Sequence, residues 1–122
     1  MMNGKEIVER RRFRRFLVKP GAFAVFCRST VIPARIIDIS RGGMAFCYVD
    51  EQGCLNDLCE LDIMYGETDF YLDRISFETV TDCVINGVTS PPVLNQRGVK
   101  FVDLSQKQIS MLNHFIYKNT LV

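Results

Sequence analysis

Along most of the chain, apolar and polar residues alternate with a period of two, the pattern of strands that bury one face. Three early segments, Ala22–Arg28 (AFAVFCR), Val31–Ile39 (VIPARIIDI) and Met44–Val49 (MAFCYV), are rich in β-branched and aromatic residues and predict strands. Pro33 assigns the start of the second to an edge or a bulge, because proline has no N–H to give to a ladder. Cys59–Tyr65 (CELDIMY) alternates cleanly, Phe70–Ile75 and Phe77–Ile85 follow the turn signal Gly66-Glu67-Thr68, and Gly98–Val102 predicts the last strand. Between them lie a turn at Asp38–Gly43, whose glycines have access to positive φ, a polar loop over 50–57, a hairpin turn at Asn86-Gly87 and a loop over Ser90–Asn95.

The period changes at Ser105. Ser105 and Gln108 form an S-x-x-Q capping box, in which hydroxyl and amide satisfy orphan donors at a helix start. Ile109, Leu112 and Ile116 then recur at helical spacing, widened by Met111 and Phe115, so an amphipathic helix over about 105–118 covers the barrel. A packing helix is the reading adopted, with a partner-binding face as the alternative. The predicted fold is mainly β: six or seven antiparallel strands over about 16–103, closed as a small barrel, plus the C-terminal helix. Residues 1–9 read as a flexible tail, and 10–122 as one domain without repeat or linker. Lys5–Arg15 has room for a turn or two of helix, which is marginal in isolation. Phe70, Tyr71 and Phe77 are assigned to the core, with an interface as the alternative.

Composition narrows the class. With 122 residues, 48% of them hydrophobic and 24% charged, the chain suits a single globular domain and neither a coiled coil nor a disordered tail. Apolar runs such as Ala22–Phe26 are far shorter than the roughly 20 residues of a membrane span. Met1–Arg12 has no apolar h-region, which predicts a chain without a signal peptide and a cytoplasmic location. Five cysteines, at 27, 47, 54, 59 and 83, fit reduced core thiols better than a disulfide framework. Cys54 and Cys59 are spaced C-x4-C without a second pair to complete a zinc site, and the one histidine, His114, lies in the helical pattern. No catalytic set and no metal set is named, so the expectation is a non-enzyme.

The formal charge of +1 conceals an asymmetry. Residues 1–19 carry +5 and the remaining 103 carry −4. Five of the six residues from 10 to 15 are arginine, interrupted by Phe13. Arginine presents a planar fork to phosphates and base edges and stacks on aromatic planes, so the run predicts an anion-binding arm over 10–15. Arg14 is read as solvated.

Two motifs stand out. One is Arg11-x-x-x-Arg15, preceded by Arg10, within ERRRFRR at 9–15; the other is Asp38-x-Ser40-x-x-Gly43. The offset register Arg10-x-x-x-Arg14 is also open, but 11/15 puts Arg15 directly before the apolar Phe16-Leu17-Val18 segment. Together and in this order, the motifs resemble the PilZ family, bacterial receptor domains for cyclic di-GMP, marked by RxxxR before the barrel and [D/N]xSxxG on it. Gly98–Phe101 leading into the helix extends the resemblance to about 9–118. It implies a six-stranded antiparallel PilZ-type split barrel with a C-terminal helix, and ligand-binding roles for Arg11, Arg15, Asp38, Ser40 and Gly43. An arginine before RxxxR goes, in the family, with a stacked pair of ligand molecules, so Arg10 implies two cyclic di-GMP per domain. The chain has no tryptophan to stack on them.

These residue types suit the ligand chemically. Arginine bridges guanine O6 and N7 or pairs with phosphate, and a carboxylate such as Asp38 accepts from guanine N1–H and N2–H. A serine hydroxyl such as Ser40 is a donor for a phosphate or base acceptor, and Gly43 permits close backbone approach. The expected function is a noncatalytic cyclic di-GMP receptor without a cofactor. Its arm folds over the ligand, and it acts in trans on an unidentified protein of the motility, pilus or exopolysaccharide machinery. The alternatives are a PilZ-like interaction module that no longer binds nucleotide and a barrel for single-stranded nucleic acid. The second is disfavoured by the acidic body. A membrane-surface helix over 5–17 ranks last, for want of one apolar stripe.

Overall fold

The computed structural model describes residues 13–26, 34–50, 60–66, 70–85 and 93–121. Among them are seven strands and one helix: β1 (Phe16–Leu17), β2 (Ala22–Val25), β3 (Ala34–Ile39), β4 (Gly43–Asp50), β5 (Glu60–Tyr65), β6 (Tyr71–Val84), β7 (Val93–Phe101) and α1 (Gln106–Asn119). Pairing runs β3-β2-β5-β6-β7-β4, and β4 pairs back onto β3, so six antiparallel strands close into a barrel. The short β1 shares an edge of β3 with β2, further along the strand. Closure removes free edges, and alternation then sends every second residue inward. This is the mainly β barrel with a C-terminal helix that the periodicity predicts.

Inward positions fill the core: Ile36 and Ile39 from β3, Met44 and Phe46 from β4, Leu61 and Ile63 from β5, Leu72, Ile75 and Phe77 from β6, and Val99 from β7 are all buried. Phe46 packs on Phe26 and Tyr48, with ring centroids 5.4 and 6.0 Å away. Each such ring contributes about 2–3 kcal/mol through burial alone. Phe77 is core, Phe70 packs against it, and Tyr71 is outside, its hydroxyl on Asp62.

Helix α1 starts as its sequence directs. The Gln108 N–H donates to Ser105 Oγ at 3.0 Å, and the Ser105 N–H donates to Gln108 Oε1 at 2.9 Å. The Gln108 amide also donates to the carbonyls of Asp73 and Arg74, tying the helix start to β6. Leu112 and Phe115 are buried, and Phe115 meets Phe70 at 5.1 Å and Tyr65 at 6.4 Å. The helix thus packs on the barrel.

Two boundaries differ from expectation. The segments expected at Phe70–Ile75 and Phe77–Ile85 are one strand, β6, because its irregularities are bulges and not breaks. At Arg74 the backbone takes φ 57°, and its N–H donates to the Asp62 carboxylate at 2.8 Å. The kink shifts the inward parity from Leu72 to Ile75, which interrupts the period that a sequence reading follows. Strand β7 begins at Val93, inside the stretch expected to be loop over Ser90–Asn95, because Val93–Gln96 pair with Cys47–Asp50 of β4. The tail 1–9, Pro33, the loop 51–57, the Asn86-Gly87 turn and Cys27, Cys54 and Cys59 lie outside the described residues. Neither described cysteine is the core thiol expected: Cys83 is exposed on β6, and Cys47 is half-buried, where burial pushes its thiol pKa up against the opposing charge of Arg35.

A polar cluster sits on the β4–β7–β6 sheet. Arg97 is 2% exposed, lies 5.3 Å over the Tyr48 ring and donates to the Tyr48 hydroxyl at 3.2 Å and to Asp82 at 2.9 Å. The Tyr48 hydroxyl in turn donates to the Asp82 carboxylate at 2.9 Å. Burial, reinforced by that carboxylate, pushes the Tyr48 pKa up to about 12.

Two outcomes follow. Ser105→Ala costs about 1 kcal/mol in urea unfolding, the usual loss for an N-cap. The folded state holds the Tyr48 proton more tightly than the unfolded chain does, so this contribution is intact below pH 10 and is lost as pH rises towards about 12. The stability gap between wild type and Tyr48→Phe therefore narrows across that window; a constant gap would contradict the assignment.

Candidate functional site

The site is built where β3 turns into β4. Strict alternation from the inward Ile36 would bury Asp38 and expose Ile39. A bulge in the β3–β4 register, where Ile36 faces Phe46 and Asp38 faces Ala45, inserts Ile37 and reverses that parity. Ile39 is fully buried as a result, and Asp38 reaches the outer surface. There its carboxylate accepts from Arg15 Nη1 at 3.4 Å, with both side chains partly exposed. The second arginine of one motif thus meets the first residue of the other, 23 positions along the chain.

The turn itself is organised by Ser40. Its Oγ accepts from the N–H groups of Gly42 and Gly43, both at 3.1 Å, while its own N–H donates to the Gly43 carbonyl at 2.8 Å. Ser40 is 5% exposed, and its hydroxyl donates back to the Gly43 carbonyl at 3.3 Å. The hydroxyl expected to face a ligand is thus engaged inside the turn in this structure. The glycines are there for space and not for φ: neither takes a positive value, unlike Gly21 at 104°. A Cβ on Gly43 would lie 2.1 Å from the Val99 carbonyl oxygen, inside the β4–β7 ladder. A Cβ on Gly42 would lie 2.7 Å from the Phe13 ring.

Phe13 is the residue that interrupts the arginine run. Its ring lies against Gly42, with the Arg41 guanidinium 5.6 Å from its centroid. Arg14 is exposed and sits 5.3 Å over Phe16, as a solvated side chain would. Phe13 therefore lays the end of the arm against the motif turn. The result is an open cleft of about 400 Å³, with Phe13 and Arg15 on one side, Gly42 and Gly43 as floor, and Val80 and Lys100 on the other. That volume falls within the roughly 300–1,000 Å³ of small-molecule pockets. Val80 is the extra residue of a β6 bulge between Thr79 and Thr81 and is 65% exposed.

The structure brings Arg15, Asp38, Ser40 and Gly43 together. Arg10 and Arg11 lie outside the described residues. Sequence reading missed Phe13, Val80 and Lys100. An apolar residue inside a basic run was a usable signal for Phe13, but nothing local marks Val80 or Lys100, which reach the cleft only through strand register. Among the described residues no cluster of metal-ligating side chains occurs, and no helix is long and apolar enough to cross a membrane.

The sequence profile of the PilZ domain family matches residues 9–118. Among solved structures, the PilZ domain with c-di-GMP of YcgR from Escherichia coli superposes with a TM-score of 0.68 at 15% identity, covering 89% of this chain and 90% of that one. The complex of MrkH from K. pneumonia with c-di-GMP gives 0.70 at 18% identity, covering 90% of this chain and 52% of MrkH. YcgR in complex with c-di-GMP gives 0.64 at 16% identity, covering 88% and 45%. The chain thus spans about half the length of those two larger chains. At such identities the likeness establishes the fold. No curated protein matches the sequence.

The two glycines make a contrasting pair. Gly43→Ala should cost about 2 kcal/mol or more in urea unfolding, since strand backbone must move apart. Gly42→Ala, which has only an aromatic ring to displace, should change stability by about 0.5 kcal/mol or less. Equal effects would contradict the steric account.

Proposed function

This chain belongs to the PilZ domain family, and on that premise we propose that it is a receptor for cyclic di-GMP whose site is the cleft between the arginine arm and the Asp38–Gly43 turn. PilZ domains are noncatalytic receptors, and the solved relatives are complexes with this ligand. The observation that carries the reading is the Arg15–Asp38 pair, which joins both motifs and whose arginine lines the cleft with Gly42 and Gly43.

The Arg15–Asp38 contact is long and partly exposed, so this contact by itself contributes little, about 1 kcal/mol or less. A ligand that satisfies both groups replaces it at small cost. Asp38 accepts from guanine N1–H and N2–H, and Arg15 turns its fork to phosphate or to guanine O6 and N7. Ser40 acts by holding the turn, and Gly43 by leaving its backbone bare. Arg11 and Arg10 supply the remaining cations. Arg10, before RxxxR, is assigned to a second, stacked ligand molecule. Folding of the arm over the ligand then couples binding to a changed surface, which acts on a protein partner in motility, pilus or exopolysaccharide control.

Calorimetric titration with cyclic di-GMP, and with cyclic di-AMP as control, tests this reading. The expected result is selective binding of two ligands per chain, lost in Arg15→Ala and in Asp38→Ala and reduced to one per chain in Arg10→Ala. One ligand per wild-type chain removes the stacked pair and keeps the receptor. No binding, or equal binding of both dinucleotides, removes the receptor in favour of an interaction module or a general nucleic-acid barrel.

A further inference from the structure

The far wall of the cleft repeats the arrangement of the near one. Lys100 of β7 is paired in register with Gly43 of β4 on one side and Glu78 of β6 on the other. Paired residues share a face of the sheet, so Lys100 has a carboxylate on one flank and, on the other, a position with no side chain. Its Nζ lies 3.6 Å from Glu78 Oε1, and both side chains are 64% exposed. Lys100 also lines the cleft that Arg15 lines from the other side. Among the described residues, each wall therefore carries a cation beside a carboxylate: Arg15 beside Asp38, and Lys100 beside Glu78.

The floor between these walls is bare by register. The outer-face row from Asp38 continues through Ala45 of β4 and Gly98 of β7 to Thr81 of β6, two pairs along from Gly43 and Lys100, with the inward Met44–Val99 pair between. A Cβ on Gly98 would lie 2.7 Å from Thr81 Oγ1, so this stretch is closed to larger residues on β7. Ala45 and Gly98 are themselves buried, and within the cleft Gly42 and Gly43 leave a bare surface between Arg15 and Lys100. It is suited to an elongated, flat ligand with negative charge at more than one place.

We propose that Lys100 is a second-wall phosphate ligand of this site and that Glu78 is its built-in competitor. Lys100 leaves Glu78 for a ligand phosphate when the nucleotide enters. The proposal rests on the receptor reading above and adds to it a residue outside both motifs. An exposed Lys–Glu pair is nearly neutral in free energy, so the exchange costs little, while a lysine tethered at the cleft edge meets a phosphate as a point charge. Glu78 opposes the ligand twice, by occupying Lys100 and by repelling the phosphate.

The experiment is calorimetric titration of wild type, Lys100→Met, Lys100→Arg and Glu78→Gln with cyclic di-GMP, each at low and at high salt, with thermal unfolding of every variant. Lys100→Met should weaken binding by about three- to fivefold at low salt, with the difference shrinking at high salt. Lys100→Arg should stay within about twofold of wild type, since the charge is kept. Glu78→Gln should bind more tightly than wild type, a direction that simple loss of a structural ion pair does not give. Melting temperatures should be close throughout, because the pair is exposed. If wild type binds while Lys100→Met matches it, or if Glu78→Gln is no tighter, the exchange is wrong and the receptor reading stands. If wild type itself does not bind, both fall.

Discussion

One close contact governs this end of the barrel: the Val99 carbonyl of β7 against the Cα of Gly43 on β4, where no side chain fits. Because β4 starts flush against β7 there, the chain arriving from β3 must reverse within Ser40–Gly42. Ser40 is the residue able to tie that reversal, its one oxygen taking two backbone N–H groups that the ladder leaves over. Asp38, two residues earlier, is then fixed at the rim. The spacing D-x-S-x-x-G thus describes a steric requirement at its last position, a hydrogen-bond hub at its centre and an outward carboxylate at its start. Of the three, only the carboxylate is turned outward, where it meets Arg15.

Bulges do the rest of the positioning. Ile37 turns Asp38 outward and Ile39 inward, while Val80 is pushed out beside the cleft. A barrel of strictly alternating strands would bury the carboxylate and lack the wall. The same device that equips the site therefore also breaks the period by which strands are recognised.

That trade explains how much was legible in the sequence. The Ser105–Gln108 box, the strands around Ile36, Phe46 and Ile63, and the turn at 38–43 depend on neighbours in the chain, and each was readable. The unity of β6 was not, because Arg74 and Val80 each shift the parity by one residue. The early start of β7 was not either, because Pro91 and Pro92 read as loop while Val93–Gln96 find partners in β4, some 45 residues earlier in the chain. Of the candidate site, Arg15 and Asp38 were legible through their motifs. Lys100 was one lysine among others until register set it beside a glycine. Information carried by register is long-range, and no local pattern encodes it.

The arm is rooted more firmly than a two-residue strand suggests. On one side Phe16 and Leu17 pair with Ile39 and Asp38; on the other, the Leu121 N–H donates to the Leu17 carbonyl at 2.8 Å, and the Lys19 N–H to the Asn119 carbonyl at 2.8 Å. Segment 16–19 is therefore held between the strand that carries Asp38 and the end of α1, which Phe115 anchors to the core. A pull on Arg15 is borne by both. Neither contact alone would make so short a strand stable, since each supplies a few backbone hydrogen bonds of about 1 kcal/mol net. Joined, they make the root of the arm part of the barrel, so Arg15 is presented to the cleft from a segment tied on both sides.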